Sequence, residues 1–279
     1  MKLPIPIQTL PLFPRLDQKL IELLRSLSAS DWEKPTVASR WTVKDIAAHL
    51  LDGNLRALSM LRDNYYGQAP DPIHSYQDLV SYLNRLNAEW VLALKRLSPP
   101  VLTELLESTG KPYYDYLKTL NPFDPATFSV AWAGEQESEN WFHLAREYTE
   151  KWHHQQQIRL AVGQEGVLYA REYYFPYLDT SMRALPHHYR EVPGQEGALI
   201  HFHVQGQGGG DWFLYHDGQR WTLVLESTLP PACRVSIEGT VAWRIFTKGI
   251  RRADAEKYVT LTGNQALGQP IFDMLAVMA

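Results

Sequence analysis

The spacing of apolar residues switches partway along the chain, and that switch restricts the fold more than any single motif. Asp17–Leu27 (DQKLIELLRSL) has apolar residues at 20, 21, 23, 24 and 27, which is helical spacing. A second helix opens at Thr42, with Asp45 three residues on as in a capping box, ahead of the run IAAHLLDGNLRALSML. Trp41 is placed to pack as a staple on its first turn. Tyr76–Leu97 reads as a third helix closed by Pro99 and Pro100, and Val101–Leu120 as a weaker helical piece interrupted by Gly110 and Pro112. FDPATFSVAWAGEQESEN is loop-like; Trp141–Val162 is a long helix ending at Gly163; Leu168–Arg190 continues as helix. After Val192 the pattern becomes alternating: ALIHFHV, WFLYH, RWTLVL and CRVSIEG read as short strands. QGQGGGD and Asp217-Gly218 read as turns, Thr240–Lys248 and Arg252–Lys257 as helices, Val259–Thr262 as a strand and Gln265–Met278 as a closing helix.

The expected fold class is therefore α followed by α/β: an N-terminal up-down helical bundle over residues 1–192 and a smaller C-terminal α/β domain over 193–279, divided near VPGQEG. The length of 279 residues fits two domains. A formal net charge of −4 and a pI near 6.2 give no basic footprint for nucleic acid. One cysteine, Cys233, excludes an internal disulfide and a thiolate-based zinc site, and fits a reducing cytoplasm. Met1–Pro14 is broken by Pro4, Pro6, Pro11 and Pro14 and has no cleavage signature, so no signal peptide is expected; no stretch of about 18 apolar residues predicts a membrane span. There is no G-x-S-x-G, and QGQGGGD lacks the Gly-Lys-Ser/Thr of a phosphate loop.

The long helix carries His143, Glu147, Glu150, His154 and Gln157 at spacings of three and four, which sets them along one stripe. The plain reading of such a stripe is a solvated face. The chemical reading is that Glu150 and His154, one turn apart, turn a carboxylate oxygen and an imidazole nitrogen toward one divalent ion. His153, three residues after Glu150, is a geometric rival. His49 stands in the apolar run AAHLL on another helix, where a buried imidazole needs a partner. As a third ligand it would complete a two-His, one-carboxylate set that leaves coordination positions open. His201 and His203 share one face of a strand and His187-His188 lies at a helix end; for both pairs packing or surface roles are the simpler reading.

WTVKDIAAHLLDGNLR (41–56) together with REYTEKWHHQQQIRLAVG (146–163) resembles the DinB-like superfamily, and more closely the mycothiol-dependent maleylpyruvate isomerase family. GQGGGDWFLYHDGQRWTL, TVAWRIFTKGI and VTLTGNQALGQPIFDMLAVMA resemble the C-terminal part of that family. The resemblance implies a DinB-like four-helix metal-binding bundle and a C-terminal domain like the sterol-carrier proteins. It implies His49, Glu150 and His154 as ligands, selecting His154 over His153. The implied ion is zinc, with nickel or iron as alternatives. It also implies a low-molecular-weight thiol (mycothiol, bacillithiol or glutathione) held as thiolate, which adds to an activated double bond and leaves after rotation. Arg244 or Arg252 would hold a substrate carboxylate.

The expected function is a metal- and thiol-dependent isomerase or S-transferase acting on a small molecule, as a cytoplasmic monomer or homodimer. Two alternatives stand beside it: a non-catalytic small-ligand-binding protein, and a hydrolase using metal-bound water.

Overall fold

The computed structural model describes residues 5–67 and 72–277. Pro4 and Met278, which figure in the expectations above, lie outside them. Helices α1 (Phe13–Ser26), α2 (Ala29–Trp32), α3 (Val43–Arg56), α4 (Tyr76–Leu94), α5 (Pro99–Leu117), α6 (Asn140–Val162), α7 (Arg171–Met182) and α8 (Leu185–His188) precede the strands β1 (Leu199–Val204), β2 (Gly210–His216), β3 (Trp221–Val224) and β4 (Cys233–Ile237). Then come α9 (Gly239–Phe246), α10 (Arg252–Ala255), β5 (Val259–Gly263) and α11 (Gln265–Gly268). Apart from short terminal pieces, one compact unit comprises Leu10–Asn121 and Lys151–Glu165, and the other Pro122–Glu150 and Gly166–Val277, so the division falls within α6.

In the first unit, α3 begins as its sequence requires. The Thr42 hydroxyl accepts the Asp45 N–H while the Asp45 carboxylate accepts the Thr42 N–H at 3.0 Å. Such a box contributes about 1 kcal/mol, whereas each fully buried Leu or Ile contributes about 1.5–3 kcal/mol. The inner face of α3 buries Val43, Ile46, Ala47, Leu50 and Leu51 in one core with Leu20 and Leu24 of α1, Leu102 and Leu106 of α5, and Ile158 of α6. Packing, not capping, therefore decides where α3 lies. From α4, the Trp90 indole N–H donates to the Ala48 carbonyl at 2.8 Å, and Lys95 beyond its end pairs with Asp45 at 2.7 Å. Burial pushes the Asp45 carboxyl up, but the bonds from Lys95 and Thr42 outweigh it and hold the group below the usual carboxylate range.

A buried polar junction crosses this core. The Lys151 ammonium of α6 donates to the Asp17 carboxylate of α1 and to the Asn54 side-chain carbonyl of α3, both at 2.8 Å. Asn54 donates onward to the Thr109 hydroxyl of α5 at 3.1 Å, and Lys151 lies over the Tyr113 ring. Gly110 lets α5 come this close to α1: a Cβ there would stand 3.1 Å from the Asp17 carboxylate. Arg159 donates to the Lys19 carbonyl at 2.9 Å, a second tie between α6 and α1.

In the second unit, the five strands are ordered β3-β2-β1-β4-β5; β1 and β4 run parallel, and the other neighbours antiparallel. Alternation puts Ile200, Phe202, Val204, Trp212, Leu214, Val235 and Ile237 on the buried face. The opposite face carries His201, His203, Asp211, Phe213, Arg234 and Ser236. Helix α7 is fixed by the Trp212 indole donating to Asp179 at 2.9 Å and by Tyr174 donating to the Gly239 carbonyl at 2.6 Å.

The structure corrects three element assignments. Pro99 and Pro100 open α5 instead of merely closing α4, because the first helical positions need no N–H, and α5 then runs through Pro112. Leu168–Arg190 is broken into a 3-10 turn, α7 and α8. The closing helix stops at Gly268 and tightens into a 3-10 turn over Gln269–Asp273, where Pro270 has no N–H to donate. No described helix is long and apolar enough to cross a membrane.

Asp17→Ala would leave the Lys151 ammonium in the core with Asn54 as its remaining hydrogen-bond acceptor there. The expected cost is about 2–4 kcal/mol of unfolding free energy, read from urea unfolding curves of the two proteins. A loss below about 0.5 kcal/mol would place this pair among surface salt bridges of little consequence.

Candidate metal centre

Helix α6 runs for 23 residues with no Gly or Pro and stops at Gly163, whose φ of +71° suits glycine. The plain expectation of a solvated stripe is not met. His143, His154 and Gln157 are buried, Glu147 and Glu150 half-buried, and every residue from Lys151 to Arg159 is buried. Periodicity could not show this, because Lys151 and Arg159 find their partners on helices distant in sequence.

His49 of α3 and Glu150 and His154 of α6 each offer one ligand atom, and the three atoms lie within 4.8 Å of one another. The His49 and His154 rings meet edge to face with centroids 4.6 Å apart. Trp41 lies 4.8 Å from the His49 ring and 6.2 Å from that of His154, so the residue expected as a helix staple also walls the imidazoles. The junction below explains the meeting. Five residues onward along α3, from His49 to Asn54, match three residues back along α6, from His154 to Lys151. The helices are thus antiparallel here, and the Lys151–Asn54 bond sets their register.

His154 rather than His153 belongs to the converging group. A step of four residues lies about 40° past a full turn and a step of three about 60° short of it. His153 is buried and lies beside the His154 ring at 3.9 Å between centroids. The Nδ1 of His154 is 2.9 Å from the Gln157 side-chain oxygen. That oxygen can only accept, so Nδ1 carries the proton and Nε2 presents its lone pair. Two imidazoles and one carboxylate are the donor set of a borderline divalent ion, and the orientation of His154 by Gln157 is the support such ligands need. The residues present therefore fit zinc or a similar ion.

Two further groups flank the stripe. Burial, reinforced by Arg146, lowers the His143 pKa to about 4, and its Nδ1 receives the Arg146 guanidinium at 2.7 Å. Burial pushes the Tyr177 hydroxyl far up, and the negative charge of Glu150 pushes it the same way, so this phenol keeps its proton. Spacing along the sequence had no signal for Tyr177 or for the Lys151 junction. The two arginines lie in the sheet unit. Arg244 donates through Nε to the Gly249 carbonyl at 3.3 Å, and Arg252 donates to Asp273 at 2.7 Å and to Gln269 at 2.5 Å.

Comparison with known proteins gives the family of this mixed helix-and-sheet protein. The family model described as the mycothiol maleylpyruvate isomerase N-terminal domain matches residues 13–159, more than half of the chain, and the chain belongs to this family. The matched span contains His49, Glu150 and His154. A crystal structure of mycothiol-dependent maleylpyruvate isomerase is similar at 14% identity with a TM-score of 0.50, covering 93% of each chain. A histidine-to-alanine mutant of that isomerase is similar at 13% identity, with the same coverage and TM-score. At such identities the likeness is one of fold. No curated protein sequence matches the chain.

The depressed His143 pKa has a consequence for stability. Between its folded value of about 4 and the ordinary value of 6.5, the unfolded chain takes up a proton that the folded chain refuses. Stability contributed by this group is complete above pH 6.5 and is lost as pH falls toward 4, up to about 3 kcal/mol. Urea unfolding at pH 7, 5.5 and 4.5 should show a steeper decline for the wild type than for His143→Gln; parallel declines would contradict the assignment.

Proposed function

We propose that this protein is a metal-dependent enzyme that uses mycothiol to isomerise a maleyl-type double bond in a small carboxylate substrate. The carrying observation is the convergence of His49, Glu150 and His154 within 4.8 Å. Family membership supports mycothiol over bacillithiol or glutathione, and the N2O donor set suits zinc, nickel or iron, of which we take zinc. On this reading residues 1–192 form a DinB-like four-helix module and 193–279 a module like the sterol-carrier proteins, in a cytoplasmic monomer or homodimer.

His49 and His154 would hold the ion through imidazole nitrogens and Glu150 through a carboxylate oxygen. When bound, the ion supplies the positive charge that keeps a thiol deprotonated near neutral pH. Gln157 fixes the His154 ring through Nδ1, and Trp41 limits water on the imidazole side. A thiol held there would supply a nucleophile for reversible addition to the conjugated double bond, which permits rotation with no atoms gained or lost. For the carboxylate, Arg244 and Arg252 are the proposed guanidinium partners.

Elemental analysis of the zinc-loaded protein should show that one zinc equivalent of the wild type is lost in each of His49→Ala, Glu150→Ala and His154→Ala. Gln157→Leu should retain it with about 10–100-fold weaker affinity. Maleylpyruvate should be converted by the zinc-loaded wild type with mycothiol and not without a thiol. Full zinc occupancy in Glu150→Ala would refute the ligand set. A loaded protein inert toward maleylpyruvate and mycothiol, with no sulfur-to-metal band in its cobalt form, would refute the thiol chemistry and leave the hydrolase or the ligand-binding protein.

A further inference from the structure

On the open face of the sheet, a second set of metal-binding side chains meets. His201 and His203 stand two residues apart on β1, so both project from one face. In the antiparallel pairing with β2, His203 lies opposite Asp211 and His201 opposite Phe213. One oxygen of Asp211 bonds both rings: His201 Nε2 at 2.6 Å and His203 Nδ1 at 2.9 Å. A ligand atom from each of the three residues lies within 4.8 Å of the other two.

The bond to Asp211 satisfies the buried His201 ring, but the outer half of the cluster adds little stability. The His203 and Asp211 side chains are 39% and 49% exposed, and exposed ion pairs contribute about 0–1 kcal/mol. Yet the group is held in place. His201 is buried and stacked on Phe213, with centroids 4.6 Å apart and planes 17° from parallel. The strands fix the other two through the register of the ladder.

We propose that His201, His203 and Asp211 form a second divalent-metal site, distinct in residues from the one on α3 and α6. Around a tetrahedral ion with bonds of about 2.0–2.1 Å, ligand atoms stand roughly 3.3 Å apart. The two hydrogen bonds, 2.6 and 2.9 Å long, would lengthen by about 0.7 and 0.4 Å to admit the ion. Each neutral imidazole then turns its lone pair inward by moving its proton to the other ring nitrogen, so the ion replaces two N–H groups at the shared oxygen. Two imidazole nitrogens and one oxygen select zinc, nickel or copper over magnesium or calcium, which prefer all-oxygen sets. Three protein ligands on an exposed face leave a position for water or a small anion. Arg234, the register partner of His201 on β4, shares that face and suits an anionic fourth ligand.

Zinc titration of the full chain by calorimetry, with melting curves to verify folding, tests the site. His203 is half-buried and Asp211 exposed, so His203→Ala and Asp211→Ala should fold normally. The wild type should bind two equivalents, His203→Ala and Asp211→Ala one each, His154→Ala one, and His154→Ala/His203→Ala none. A wild type binding one equivalent, lost in His154→Ala and kept in His203→Ala, overturns the sheet site and leaves the helical one standing. One equivalent lost in His203→Ala and kept in His154→Ala upholds the sheet site and refutes the helical one. A second equivalent that survives both His203→Ala and Asp211→Ala also overturns the proposal.

Discussion

A lysine ammonium in the interior of a helical core is costly unless it is paired and hydrogen-bonded, and Lys151 is both. Its bonds to Asp17 and Asn54 join three helices at one point, and Asn54 extends the tie to a fourth through Thr109. Apolar packing brings α3 and α6 together but tolerates sliding. A charge with two fixed acceptors does not, because a slip of one turn would leave it buried without them. His49 and His154 lie about one turn from this junction, so the register it sets is also the register in which the imidazoles meet.

Burial and hydrogen bonding also fix proton positions along α6. Gln157 leaves His154 one available lone pair, on Nε2. His143, farther along the same helix, stays neutral through the physiological range because burial disfavours its charged form. Tyr177 keeps its proton beside Glu150 for the same reason, aided by the carboxylate charge. The positive charges of Lys151 and Arg146 are each matched to an acid, Asp17 and Glu147 respectively.

What was legible in the sequence was local. The Thr42–Asp45 box and the Gly163 stop act within a few residues, and the structure has both where the motifs put them. The alternation after Val192 became the sheet for the same reason. Pro99-Pro100 misled because proline both ends one helix and begins the next. The closing helix failed at Pro270, whose missing N–H outweighed an otherwise apolar pattern. The polar stripe on α6 was the deeper difficulty. Spacing shows which side chains share a face but not what covers it, and the partner that buries Lys151 lies 134 residues away. The histidines of β1 posed the same problem: their common acceptor, Asp211, lies across a hairpin whose register no local pattern fixed.

The proposed chemistry requires the coordination sphere that α3 and α6 would assemble. X-ray absorption at the zinc edge, on the zinc-loaded His203→Ala protein so that the helical site alone contributes, reads that sphere directly. The expected spectrum has two imidazoles and oxygen neighbours at about 2.0–2.2 Å, and one sulfur at about 2.3 Å replacing an oxygen when mycothiol is added. A first shell with fewer than two imidazoles, or one unchanged by mycothiol, would contradict it.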